Sequence, residues 1–181
     1  MVHTTALVLL LGSAALVCMA QAPRTPNVDA QREGMKKLTF LVGKWSGEAS
    51  VLRGPGQSVM VSQTEDARFK LGGLILEIEG VGRTKSEGTP VLQALGLISF
   101  DDQSGAYRMR VFNDGRWLET EVKLGNDGHS MSWGFPFGEM KSNSVMRINE
   151  KGEWTENAEL TIPGKPPQKL MELTVHRISD P

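Results

Sequence analysis

The stretch LVGKWSGEAS at residues 41–50 marks the point where the chain changes its period. Before it, apolar residues recur near helical spacing. After it, they alternate. Gly43 and Gly47 flank Trp45, and a Trp between glycines at the start of a strand can lay its indole across the floor of a closed sheet, because glycine permits bends and close packing. The last strand-like run, LTVHRI at residues 173–178, carries Arg177. Strand parity puts Met171, Leu173, Val175 and Arg177 on one face, and Trp45, Gly47, Ala49 and Val51 on one face of the first strand. An inward arginine needs partners. Stacking on Trp45 and bonding to nearby carbonyls would satisfy it, so the two residues are expected to form a barrel-floor clamp.

Outward from that stretch, period-two runs cover residues 44–53, 58–69, 73–83, 91–100, 106–113, 116–124, 129–135, 139–149, 153–162 and 168–178. Turn chemistry separates them. Asn113-Asp114-Gly115 and Asn126-Asp127-Gly128 are hairpin signals, and Gly72-Gly73, Lys151-Gly152 and Gly164-Lys165-Pro166-Pro167 mark further turns. About ten strands without intervening helices exceed what one open twisted sheet comfortably holds, so closure is expected. The fold class is all-β: an antiparallel up-and-down β-barrel of about ten strands. Residues 27–43, NVDAQREGMKKLTFLVG, read as one short N-terminal helix covering one end, with Asn27 or Asp29 as cap and Lys36 and Lys37 late in the helix.

The 181 residues suit one domain with a core of its own. Lys and Arg number 20 against 21 Asp and Glu, for a net charge of −1. No basic stripe is present, which argues against a nucleic-acid partner. Residues 1–22 read as an export signal: Ala6 to Val17 form an apolar run too short to span a bilayer, and Ala20-Gln21-Ala22 fits a small-x-small cleavage site. Cleavage after Ala20 is the alternative, since Pro23 follows Ala22. Residues 23–181 are then a single barrel domain, exported to the periplasm or secreted, with no integral membrane span. Cys18, the single cysteine, falls in the signal and is poorly preceded for lipidation, so the mature chain has no disulfide and no thiol nucleophile.

Four segments in this order resemble the calycin superfamily of lipocalin-like barrels: the helix followed by LVGKWSGE, LGGLILEIEG at 71–80, GLISFDDQSGAYRMRVF at 96–112, and LMELTVHRI at 170–178. More closely, they resemble a bacterial family of barrels known as a domain of unknown function. The likeness spans about residues 33–178 and implies a barrel without implying a substrate. The opening is also similar to that of haem-binding nitrobindin-like barrels, with Ala49 where their motif has its last glycine. That likeness would make His176 the haem ligand. Parity instead turns His176 away from the Met171–Val175 face, where a proximal ligand would have to lie.

The expected inward faces are rich in methionine: Met109, Met131, Met140, Met146 and Met171. Flexible thioethers adapt to varied apolar ligands. With Tyr107 and Trp133 they are the candidate lining of a lumen holding a small hydrophobic or amphipathic molecule, without catalysis and without a cofactor. A small barrel enzyme of isomerase or lyase type would instead use Glu65 and Tyr107 as lumenal acid and phenol. His129 and His176 lack metal-ligand spacing, so no metal site is expected.

Overall fold

The structure, a computed structural model, describes residues 24–54, 56–113 and 115–179. The expected export signal lies outside the described residues. Eleven strands follow a short helix: β1 (Gly43–Gly54), β2 (Gln57–Lys70), β3 (Ile75–Thr84), β4 (Pro90–Asp101), β5 (Ala106–Asn113), β6 (Arg116–Leu124), β7 (Ser130–Trp133), β8 (Pro136–Phe137), β9 (Met140–Ile148), β10 (Trp154–Thr161) and β11 (Gln168–Ser179). Each strand of the wall pairs antiparallel with its sequence neighbours, β11 pairs with β1, and β9 pairs with both β7 and β10. Ten strands therefore close into an up-and-down barrel, and β8 is a two-residue addition on the start of β9. Full pairing removes the exposed edges that an open sheet of this width would carry.

The hairpin turns divide the barrel into two ends. At the lower end lie the start of β1 and the end of β11, and α1 (Val28–Lys36) lies there against β4. The Asn27 side chain caps α1 by accepting from the Ala30 N–H at 3.0 Å. Asp102, in the β4–β5 turn, accepts from the Asn27 N–H at 2.9 Å and from Gln31 Nε2 at 2.7 Å. Arg32 donates to the Gly72 carbonyl at 3.1 Å. Gly34, an unfavourable residue by helix propensity, is required by packing: a methyl there would stand 2.6 Å from the Phe100 ring.

The helix ends earlier than the pattern over 27–43 suggests. It stops at Lys36, and a 3-10 turn, Thr39–Leu41, leads into β1. The carbonyls of Phe40, Leu41 and Val42 receive side-chain donors from Arg177 and Trp45. An α-helix continued through Gly43 would place these groups differently and leave the clamp without acceptors.

Outer faces carry alternating charge. Arg68 on β2 lies 3.3 Å from both Asp66 and Glu77, and Arg110 on β5 lies 2.8 Å from Glu119 on β6. Such exposed pairs are individually worth little. Trp117 is exposed, with Arg110 4.8 Å over its ring. No helix among the described residues is long and apolar enough to cross a membrane.

Candidate functional site

The inward residues build two different levels. The lower one is solid. Arg177 lies 4.0 Å over the Trp45 ring, its Nη2 donates to the Phe40 carbonyl at 2.9 Å, and its Nη1 donates to the Val42 carbonyl. Trp45 Nε1 donates to the Leu41 carbonyl at 2.9 Å. Met35, Leu38, Leu41, Leu76 and Ile98 are fully buried there. Tyr107 donates to the Gly34 carbonyl at 2.6 Å and packs against Phe100, so its phenol is spent on holding α1.

Above this plug the lumen opens into a cavity of about 220 Å³. Trp154 separates the two levels: its ring meets Trp45 edge-on at 5.7 Å from below and also lines the cavity. Most of the lining is apolar, including Ile78, Leu92, Met109, Val111, Met131, Trp133, Phe135 and Met171. The polar groups are Gln63 and Glu65 from β2, Glu156 from β10, and Asn113 at the end of β5. Among the described residues, no Lys, Arg or His lines the cavity.

The two β2 side chains have seats made for them by glycine. Glu65 stands opposite Gly80 on β3, and Gln63 opposite Gly82. A methyl on Gly80 would come within 2.7 Å and 3.0 Å of the two Glu65 carboxyl oxygens, and a methyl on Gly82 within 2.7 Å of Gln63 Oε1. The Gln63 amide donates to Glu65 Oε1 at 2.8 Å. That orientation leaves Gln63 Oε1 without a protein partner, and Trp154 Nε1 is likewise unpartnered although both atoms are buried. An unsatisfied buried polar atom costs about 1–3 kcal/mol.

Burial pushes the Glu65 carboxyl up to about 8; the Gln63 hydrogen bond opposes the rise and the charge of Glu156 adds to it. Burial alone pushes Glu156 up to about 8. At neutral pH both carboxyls therefore hold protons more often than not. Each then offers one O–H donor as well as acceptor oxygens. A carboxyl whose proton leaves near neutral pH can also exchange it with a bound molecule.

Of the residues singled out by sequence, Met109, Met131, Trp133 and Met171 line the cavity. Met140 does not: it sits where β8 meets β9, 38% exposed. Met146 faces inward, paired with Met131 and Glu156, but is fully buried and does not line the cavity, and Tyr107 faces inward lower down, against α1. Tyr107 and Glu65 belong to different levels, so they do not form an acid–phenol pair. His176 points outward, 63% exposed, with its Nδ1 3.5 Å from Glu153, and cannot reach the lumen as a haem ligand. Asp101 and Asp102 serve their turn and the α1 cap, and no group of three or more metal-binding side chains is assembled among the described residues. Glu156 was passed over by sequence reading, although it shares parity with Trp154 and Ala158. Gln63 and the glycine seats were passed over as well.

A wider groove of about 480 Å³ lies across the outer wall between Glu79, Leu95, Phe112 and Trp117. It is largely open to solvent, and its bordering strands contribute no buried unpartnered polar atom. The inner cavity is therefore the better-built site.

No protein-family model matches the chain, and no curated protein matches it. The barrel is similar to the crystal structure of Rv2717c from M. tuberculosis, with a TM-score of 0.60 and 15% identity, covering 81% of this chain and 98% of that one. At that identity the likeness is one of fold.

Proposed function

We propose that this chain is an exported, lipocalin-like barrel that binds a small molecule with an apolar body and a neutral or cationic polar end. The observation that carries the reading is the upper lumen itself: an apolar cavity with buried polar atoms left unpartnered, above a plug whose polar groups are all engaged. Export rests on the apolar run and cleavage pattern of residues 1–22. The lining favours neutral or cationic ligands because, among the described residues, it has two carboxyls and no basic side chain to balance the charge of an anionic head such as a fatty-acid carboxylate. At about 220 Å³ the cavity is smaller than the ~300–1,000 Å³ of sites for drug-sized ligands, which suits a molecule of one ring or a short chain.

Native mass spectrometry and thermal-shift screening with small aromatic and aliphatic alcohols, amides and amines test the reading. Gly96 lines the cavity, and a Cβ there would meet only Ile78, at 3.8 and 3.9 Å. Gly96→Val should therefore fold and abolish the shifts by filling space. Absence of any shift in the unmodified protein, or equal shifts in Gly96→Val, would refute lumenal binding. For export, N-terminal sequencing of the periplasmic or secreted protein should begin at Gln21 or Pro23; an intact Met1 would contradict it.

A further inference from the structure

The polar groups of the cavity are unbalanced in charge: two carboxyls face it and, among the described residues, no cation does. Gln63 is 1% exposed, its amide nitrogen already serves Glu65, and its Oε1 remains free. Glu65 and Glu156 add four carboxyl oxygens, of which Glu65 Oε1 takes the Gln63 bond. The donors that face these are Trp154 Nε1, the amide of the half-buried Asn113 and the O–H of each carboxyl while it stays protonated, and the two O–H donors are lost once the carboxyls ionise. A ligand rich in donors would satisfy such a set, and an ammonium group brings three N–H donors and the charge that two carboxyls lack. Three aromatic rings, Trp133, Phe135 and Trp154, share the lining, and such rings attract cations as well as apolar groups.

We propose that the upper lumen takes a small primary amine, its ammonium group received by Glu65, Glu156 and Gln63 Oε1 and its apolar body packed against Trp133, Phe135 and Met171. The inference rests on the reading of the lumen as a ligand site and narrows it to one chemical class.

Binding changes the protonation of the site in a defined way. The free cavity holds protonated carboxyls at neutral pH. As the ammonium ion enters, a carboxyl O–H bond breaks, its proton leaves to the buffer, and a carboxylate–ammonium pair forms. The site gains one cation and loses one proton. The groups that face the two carboxyls do not complicate this exchange. Glu65 is paired across the wall with Trp45 and Gly80, and Glu156 with Met146 and Leu173; none of the four titrates. Among the described residues of the lining, each carboxyl is the other's only titratable neighbour. Arg177, the inward cation of β11, is engaged below Trp45 with backbone carbonyls.

Isothermal titration with phenethylamine, phenylethanol and phenylacetate compares three polar ends on one apolar body. At about pH 7, the amine should bind about tenfold or more tightly than the alcohol, as expected for hydrogen bonds to charged groups. Phenylacetate should give no binding heat. Repeating the amine titration in two buffers of different protonation enthalpy should show close to one proton released. Amine affinity should rise with pH up to about 8 and then level off, the window set by the two carboxyls. Glu156→Gln, checked for folding by circular dichroism, should reduce the amine to the affinity of the alcohol.

Alcohol binding as tight as amine binding, or an amine affinity that falls as pH rises, would overturn the amine assignment while leaving the lumen a ligand site. Proton release of zero in the unmodified protein would overturn it without reliance on any variant. If none of the three probes binds, the amine assignment falls, and the alcohols and amides of the wider screen then decide the ligand reading separately.

Discussion

The lower and upper levels of this barrel are built by the same alternation, yet they treat polarity in opposite ways. Below, Arg177 is an inward charge with its partners at hand: two carbonyls and the Trp45 ring. Above, Glu65 and Glu156 are inward acids with no cation, and Gln63 and Trp154 each leave a polar atom unpartnered. A satisfied buried charge speaks for architecture. An unpartnered buried polar group costs stability and does no architectural work, which is what the proposed ligand would answer. The comparison separates what holds the fold from what the fold holds.

The sharpest way to break the comparison is at the plug. Trp45→Ala removes the floor and the acceptor face for Arg177, and should cost about 3–5 kcal/mol, in the range of buried aromatic truncations. Arg177→Leu should cost about 2–4 kcal/mol through lost charge-assisted bonds to carbonyls and lost stacking. Urea unfolding followed by far-ultraviolet circular dichroism measures both. A loss below about 0.5 kcal/mol, the scale of ordinary surface changes, would show that the clamp is incidental.

The upper level should betray itself through pH. Both acids are raised from 4.5 to about 8 in the folded protein, so between these values the native state holds protons that the unfolded chain has released. Their contribution to stability is present in full below 4.5 and is lost as pH rises through about 8. The slope is at most about 1.4 kcal/mol per pH unit for each group. Glu65→Gln and Glu156→Gln should each flatten the decline, and the variants should be more stable than the parent at about pH 9. Unfolding midpoints measured across this range decide it, and a parent whose stability rises toward pH 8 would contradict dry, cation-free acids.

A smaller effect is expected where the two levels meet their wall. Gly80→Ala forces a methyl against the Glu65 carboxyl and should cost about 1–3 kcal/mol, as overpacking does. It should also weaken ligand binding, whereas Gly56→Ala, in open space on a turn, should change stability through its positive φ alone and leave binding untouched. The smallest effect is expected outside. His176→Ala should stay within about 0.5 kcal/mol and leave lumenal binding unchanged.

Much of this was legible before any coordinates. Alternation located the strands, the turn residues separated them, and parity put Trp45, Arg177, Met109 and Met171 on inner faces. Height along the barrel was not legible. Tyr107, Met140 and Met146 share inward parity, but one anchors α1, one reaches the rim and one is fully buried beside Met131 without lining the cavity. Height depends on strand stagger, which pairing sets and periodicity does not encode. Glu156 escaped notice for another reason: between Thr155 and Asn157 it looks like a solvated residue, although i±2 spacing to Trp154 and Ala158 aims it inward. The seats at Gly80 and Gly82 depend on the β2–β3 register, a relation between strands that no single stretch of sequence displays.

The most direct test of the division into plug and cavity is a carboxyl carbon-13 titration of the free protein, with Glu65 and Glu156 assigned through their Gln variants. Two glutamates should titrate near 8 and move to lower pH when phenethylamine is added. If both instead titrate in the ordinary range near 4.5, the upper lumen is hydrated or otherwise compensated, and the contrast between the two levels is lost.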